Sequence, residues 1–314
     1  MATRQLLPKL LIICGPTATG KSELALRLAR ELDAEIVNAD SMQIYRGMDI
    51  GTAKPSPGER AQVRHHLIDV ADPDRLFSAA DFAIAADGAI RDITSRGKRV
   101  IVVGGTGLYL RALLGGLVDS PSGAGEIRQA LQEEARDVGN EAMLEKLRLV
   151  DPELAGRIHP NNLVRIIRAL EVYRLTGIPL SRYQQEHGFS GQQYETLQIG
   201  INVERQELYE RIEARVERML AEGLSEEVRQ LLATGYGREL KAMRAIGYKQ
   251  LAAHFAGECS LEEAVRLIKR DTRRYAKRQL TWFHSETDII WLEYPTKFAT
   301  ILQHAIEFFE RRED

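Results

Sequence analysis

An α/β fold, a parallel sheet flanked by helices with an inserted all-helical domain, is predicted by three features of the 314-residue sequence. Short runs at 10–14, 35–37 and 100–103 each end in polar or glycine-rich turn chemistry, as buried parallel strands do. Helically spaced stretches separate strand candidates, which implies right-handed crossovers within one sheet. From 126 to about 175 the pattern is almost wholly helical.

Leu10-Leu11-Ile12-Ile13-Cys14 is the first strand, 15–20 is turn chemistry, and Leu24, Leu28 and Leu32 mark a helix over 22–32. Glu35-Ile36-Val37 ends at Asn38-Ala39-Asp40, and Val100-Ile101-Val102-Val103 ends at Gly104-Gly105-Thr106-Gly107 before Leu108. Ligands in such sheets sit at the carboxyl ends of strands, which singles out Lys21, Asp40 and Thr106. Composition changes after Leu117: 119–125 reads as a linker, a helical break falls at Asp151-Pro152, and 188–193 is again loop-like. The helical insertion is therefore placed at 119–195 and the core at 1–118 and 196–314. Later strands are expected at 197–203 and 289–292, with helices following from Gln206.

Composition is that of an ordinary globular chain, 44% hydrophobic and 28% charged. With 43 Lys+Arg against 45 Asp+Glu the formal charge is −2, so no global positive field attracts nucleic acid and any basic surface is local. The two cysteines, Cys14 and Cys259, lie far apart and form no metal spacing, which suits free thiols inside a cell. The five apolar residues before Gly15 are too few for a signal segment or a membrane span, so a cytoplasmic protein is expected.

Gly15-Pro16-Thr17-Ala18-Thr19-Gly20-Lys21-Ser22 fits G-x-x-x-x-G-K-[ST] with a strand before it and a helix after it, which makes the α/β fold P-loop NTPase-like. Backbone amides of such a loop wrap a phosphate, the helix N-terminus adds a favourable dipole, Lys21 supplies charge and the Ser22 hydroxyl can hold Mg²⁺. The motif establishes a polyphosphate or pyrophosphate site and no particular reaction. Conventional P-loop NTPases place an Asp at the end of another apolar strand, yet 100–103 ends in Gly-Gly-Thr. Asp69 is a substitute, though its segment bears no other mark of ATP hydrolysis.

The stretch Asp40-Ser41-Met42-Gln43-Ile44-Tyr45-Arg46-Gly47-Met48-Asp49-Ile50-Gly51-Thr52-Ala53-Lys54-Pro55 is long, polar and punctuated by glycine. Together with the phosphate loop, Gly104-Gly105-Thr106-Gly107-Leu108-Tyr109, Arg157-Ile158-His159-Pro160-Asn161 and Arg165-Ile166-Ile167-Arg168-Ala169-Leu170-Glu171-Val172, it closely resembles the tRNA dimethylallyltransferase (tRNA isopentenyltransferase) family. The likeness continues through Gly223-Leu224, Ala245-Ile246-Gly247-Tyr248-Lys249-Gln250 and Lys277-Arg278-Gln279-Leu280-Thr281-Trp282, nearly the whole chain in the family's order. Eukaryotic relatives carry a C-terminal zinc finger; this chain has no Cys/His set for one and looks like the bacterial type.

The resemblance implies transfer of a dimethylallyl group from dimethylallyl diphosphate to the exocyclic amine of the adenosine 3′ to the tRNA anticodon. The phosphate loop, Lys21 and Mg²⁺ near Ser22 would then hold the leaving pyrophosphate, whose charge grows as the allylic C–O bond breaks. The same analogy gives Asp40 the role of general base toward the adenine amine and places Thr106 beside the bridging oxygen. As alternatives, Asp40 is a helix cap or a metal-shell carboxylate, and Thr106 caps the helix near Leu108. Arg211 and Arg215 share a helix face, and family position sends at least one to the diphosphate. Interleaved Glu207, Glu210, Glu213 and Glu217 equally suit a solvated, salt-bridged face.

An anticodon base must be drawn out of its stack to react. Seven basic residues, Arg266, Lys269, Arg270, Arg273, Arg274, Lys277 and Arg278, fall on about half a helix circumference opposite Ile268, Thr272, Tyr275 and Trp282. That is a footprint for phosphates or, alternatively, a solvated face. By analogy the insertion clamps the anticodon stem-loop, with Arg128, Asn161, Asn162, Val164, Arg165, Ile166, Ile167 and Arg168 as contacts. Ser41, Met42, Gln43, Arg244, Tyr248 and Lys249 are candidates near the base, although Tyr248 also suits a core position. The chemistry asks for tRNA and dimethylallyl diphosphate, no membrane and no protein partner, and a monomer is expected. Competing functions are a small-molecule P-loop kinase, a non-catalytic RNA-binding protein, and a prenyltransferase acting on free adenine nucleotides.

Overall fold

A computed structural model describes residues 7–116, 125–187 and 193–311. Of the linker expected at 119–125 and the loop at 188–193, residues 119–124 and 188–192 lie outside the described residues, and Gly125 already belongs to a helix. The chain falls into two compact units, one made of 1–114 and 192–314 and the other of 115–191.

In the first unit six strands, β1 (Lys9–Cys14), β2 (Ala34–Asn38), β3 (His65–His66), β4 (Arg99–Val103), β5 (Glu195–Asn202) and β6 (Ile289–Glu293), form one sheet in the order β3-β2-β4-β1-β5-β6. All the pairings are parallel. Between the strands run α1 (Lys21–Glu31), α2 (Pro57–Gln62), α3 (Ala79–Ser95) and α4 (Gly107–Gly115). The other unit contains α5 (Gly125–Val150), α6 (Pro152–Ala155), α7 (Leu163–Thr176) and α8 (Leu180–His187). The first unit then continues with α9 (Arg205–Ala221), α10 (Leu224–Ala233), a 3₁₀ turn at Ala242–Arg244, α11 (Tyr248–Phe255), α12 (Leu261–Phe283) and α13 (Phe298–Glu310).

Alternation along β1, buried from Leu10 to Cys14, builds both faces of the sheet. Leu10, Ile12 and Cys14 pack with Phe82, Ala86, Ile90 and Ile93 of α3, whereas Leu11 and Ile13 pack with Leu24, Ala25 and Leu28 of α1 and Ile301 of α13. A third cluster joins Ile44, Tyr45 and Met48, from the segment after β2, to Val216, Leu224, Val228, Leu251 and Ile268 of α9 to α12. That cluster anchors the long polar stretch that begins at Asp40.

The expected strands are all present, and β3 is an addition. Two residues carry no periodicity to detect; His65 and His66 become a strand only by pairing with Ile36 and Val37. The charged member of the second strand, Glu35, is held by Arg96 and by His66 at 2.7 Å, and the Arg96 contact lowers its carboxyl pKa to about 2. The helical unit has a core of its own, including Leu131, Met143, Leu147, Ile166 and Leu170. Buried Asp151 marks the break before Pro152: it accepts from Leu154 N–H at 3.0 Å and Ser181 N–H at 2.9 Å. Among the described residues no helix is long and apolar enough to cross a membrane.

Candidate active site

Gly15, Ala18 and Gly20 have φ of 129°, 65° and 92°, and left-handed residues interspersed in a turn let successive N–H groups converge on an anion. Buried Thr19 donates its hydroxyl to Pro16 O at 2.9 Å, and Thr17 N–H donates to Gln279 Oε1 at 2.9 Å. Lys21 Nζ donates to Pro16 O and reaches into a polar cavity of about 320 Å³, lined also by Gly20, Ser22, Asp40, Arg215 and Arg218. Burial and the nearby Arg215 lower the Lys21 ammonium from 10.5 to about 8.

The ends of β2 and β4 meet because of a glycine. A Cβ on Gly104 would stand 2.2 Å from Ala39 O, so only glycine lets the two loops cross so closely. Thr106 N–H donates to Ala39 O at 3.3 Å, and Thr106 Oγ1 accepts from Ser41 N–H at 3.1 Å. The Thr106 hydroxyl therefore ties one loop to the other; its carbonyl, not its side chain, accepts from Tyr109 and Leu110 at the start of α4. Asp40 Oδ1 accepts from Met42 N–H at 2.8 Å and Gln43 N–H at 3.4 Å, capping the turn that follows. Capping uses one oxygen, which leaves Oδ2 for the cavities.

A second cavity of about 370 Å³ has apolar walls from Met42, Val216, Met219, Leu224 and Ile246, with Ser41, Arg244, Tyr248 and Lys249 also at its lining. Thr17, Asp40, Thr52, Arg215 and Tyr275 line both cavities. Asp40 thus lines both a polar space that holds Lys21, Arg215 and Arg218 and an apolar one. Burial, together with the negative charge of Asp40, pushes the Tyr275 phenol up.

Several candidates change character. Arg211 pairs with Glu207 at 2.6 Å and lines neither cavity, whereas Arg215, one turn on, lines both. Gln43 is buried and donates its amide to Thr52 O at 3.1 Å and Ala53 O at 3.2 Å, so those donors hold the loop. Tyr248 is a core residue with its hydroxyl on Glu227 at 2.6 Å, and Lys249 pairs with Asp271 at 3.3 Å. Asp69 is no metal carboxylate: Lys54 at 2.6 Å and Arg60 at 2.8 Å occupy it.

The basic stripe of α12 is shorter than its sequence. Arg266 is paired with Glu263, Lys269 with Glu217, Arg270 with Asp271 and Arg273 with Glu213. No ion pair among the described residues involves Arg274, Lys277 or Arg278, and Arg278 also lines the apolar cavity. In the helical unit Ile166 and Ile167 are 0% and 5% exposed, so their side chains serve the core and not a ligand. Arg128 and Arg168 both bind buried Glu171, at 2.6 and 2.9 Å, whereas Val164 and Arg165 are exposed at the start of α7.

Arg218 and Glu227 carry no local signal in the sequence, and Tyr275 and Gln279, although they fall in stretches already singled out, carry none that assigns them to a site. Glu227 accepts from Asp49 N–H at 2.9 Å, Ile50 N–H at 2.7 Å and Gly51 N–H at 3.1 Å, clamping the turn beside Thr52. Arg218 follows Arg215 by three residues, the spacing that puts both on one helix face.

The lowered Lys21 pKa gives a pH dependence. The advantage of wild type over Lys21→Met in affinity for inorganic pyrophosphate should shrink as pH rises through about 8, because the cation is lost; titration calorimetry on both proteins checks this, since the ligand's own titration cancels in the ratio. Stability of the unliganded protein moves oppositely. Between 8 and 10.5 the unfolded chain binds the additional proton, so stability rises with pH in that window.

The family model described as IPP transferase matches residues 43–286. The tRNA dimethylallyltransferase 1 of Pelobacter propionicus is 73% identical over 304 residues, covering 97% of this chain and 98% of that protein. The tRNA dimethylallyltransferase 2 of Geotalea daltonii is 64% identical, covering 98% and 94%. Among solved structures, the tRNA isopentenylpyrophosphate transferase of Bacillus halodurans is 40% identical with a TM-score of 0.72, covering 96% of this chain and 97% of that one. A eukaryotic dimethylallyltransferase acting on tRNA is 28% identical with a TM-score of 0.79, covering 98% and 80%. The family model begins after the phosphate loop and Asp40, so the likeness of those residues rests on the near full-length relatives.

Proposed function

Because the chain belongs to the IPP transferase family, we propose that it transfers a dimethylallyl group from dimethylallyl diphosphate to the exocyclic N6 amine of the adenosine 3′-adjacent to the tRNA anticodon, giving isopentenyladenosine and pyrophosphate. It is a tRNA-modifying transferase. The observation that carries the chemistry is the position of Asp40 on both cavities, with Thr17, Arg215 and Tyr275 around it.

The donor's diphosphate lies in the polar cavity under the loop amides, Lys21 and Arg215. These groups are already aimed at the atoms on which charge builds as the C–O bond breaks, so they stabilise the transition state more than the ground state. The isoprenoid carbon and the unstacked adenine meet in the apolar cavity, whose walls exclude water from the allylic centre. As the N–C bond forms, Asp40 Oδ2 takes a proton from the amine, a nucleophile weakened by delocalisation into the ring. Thr106 lines neither cavity; its Oγ1 accepts from Ser41 N–H at 3.1 Å, which fixes the backbone beside Asp40.

Ser22, at the first turn of α1, lines the polar cavity. Its hydroxyl is a hard oxygen ligand, and the donor's phosphate oxygens and water would complete the shell, a set that suits Mg²⁺. When bound, Mg²⁺ neutralises charge on the diphosphate. Arg274, Lys277 and Arg278 of α12, with Val164 and Arg165 of α7, are the surfaces for the anticodon stem-loop. A tRNA substrate places the reaction where tRNA resides, in the cytoplasm.

The test is incubation with Mg²⁺ and radiolabelled dimethylallyl diphosphate, offering an anticodon stem-loop, AMP or ATP. Label should enter only the RNA; label in a mononucleotide, or γ-phosphate transfer from ATP to a metabolite, would overturn the reading. Removing charge from α12 should separate two classes of residue. Arg274→Ala with Lys277→Ala should flatten the salt dependence of RNA affinity by about 0.7 in log–log slope per lost phosphate contact. Arg266→Ala with Lys269→Ala should leave the slope nearly unchanged, because acids already neutralise that pair. Equal slopes in the two double variants would contradict the assignment.

A further inference from the structure

Gln279 joins two loops through a single amide. Its Oε1 accepts from Thr17 N–H at 2.9 Å in the phosphate loop, and its Nε2 donates to Gly105 O at 2.8 Å beyond β4. It is 6% exposed. A Cβ on Gly105 would be 2.3 Å from that Nε2, and a Cβ on Gly107 would be 2.1 Å from the Trp282 indole nitrogen, one helical turn further along. Two glycine notches therefore seat α12 against the loop that carries Thr106, while Gln279 reaches past that loop to the tip of the other.

We propose that Gln279 is a positioning residue that locks the phosphate loop to the Gly104–Gly107 loop, holding the diphosphate donors in register with Thr106 and Asp40. The inference rests on the reading of the phosphate loop as the diphosphate site. An amide suits the task because it donates and accepts at once, whereas Glu lacks the donor and Met lacks both functions. Thr17 lines both cavities and already has its N–H engaged. The diphosphate is thus left to the amides that follow, and the loop meets its ligand already shaped. Preorganised donors lose nothing to rearrangement when charge develops.

Gln279→Met keeps the length of the side chain and deletes both hydrogen bonds. With two bonds lost, inorganic pyrophosphate should bind about tenfold more weakly, and kcat per active site should fall by at least as much. Anticodon stem-loop affinity should stay within about twofold, because the free cations of α12 are untouched. A role in stability alone would lower the melting temperature and leave pyrophosphate affinity where it was. In the wild-type protein, amide exchange resolved at Thr17 should show protection without ligand, a readout that needs no variant to fold. Pyrophosphate affinity within about twofold of wild type in Gln279→Met, or an unprotected Thr17 amide in wild type, would overturn the proposal. Absence of prenyl transfer by wild-type protein would overturn the reading of the reaction alone, since the pyrophosphate arm decides the role of Gln279 without turnover.

Discussion

Asp40→Asn should slow prenyl transfer by about 10²–10⁴-fold, the usual contribution of a general base, while RNA affinity stays within about twofold. Asparagine keeps the shape, and its carbonyl oxygen can still accept from Met42 and Gln43 N–H as Asp40 Oδ1 does. The turn should therefore survive. What disappears is the oxygen that takes the proton, replaced by an amide group that donates toward the adenine amine. Single-turnover transfer to a labelled stem-loop, beside a binding titration of the same RNA, checks this. Parallel loss of turnover and binding would show that Asp40 matters only for holding the turn.

Lys21→Ala should lower kcat/KM for dimethylallyl diphosphate by about 10²–10³-fold, comparable to removing a key stabiliser of developing negative charge, again with RNA affinity preserved. Lys21 bridges Pro16 O and the polar cavity, and Arg215 and Arg218 would be left to face the leaving group from α9. Lys21→Arg should not restore activity, because a planar fork does not replace a compact ammonium on a short reach. Steady-state kinetics with the donor varied at saturating RNA decides the matter; unchanged donor kinetics in Lys21→Ala would remove the phosphate loop from the mechanism.

Both predictions draw on residues that are legible in the amino-acid sequence. The phosphate loop spans eight consecutive positions between a strand and a helix, so contiguity carries its meaning. Asp40 and Thr106 stand out as strand ends, and parallel pairing of β2 with β4 in register Asn38 to Val103 brings those ends side by side. The choice between Arg211 and Arg215 is not legible. A period of 3.6 puts them on one face with glutamates between, and only the packing of α9 turns Arg215 to the cavities and leaves Arg211 on Glu207. The basic stripe of α12 misleads for the same reason. Glu213 and Glu217, which neutralise Arg273 and Lys269, lie 60 and 52 residues away in sequence.

Linear order is enough to specify the class of fold, the anion loop, the strand-end carboxylate and, through the succession of motifs, the family. Folding in three dimensions settles which cations remain free, that Ile166 and Ile167 belong to a core, that Glu171 engages Arg128 and Arg168, and that Gln279 clasps a loop 262 residues away. The division is physical. Backbone motifs are set by neighbours along the chain, whereas the partner of a charge or an amide is whatever side chain packing brings within about 3 Å, and that neighbour has no fixed distance in sequence.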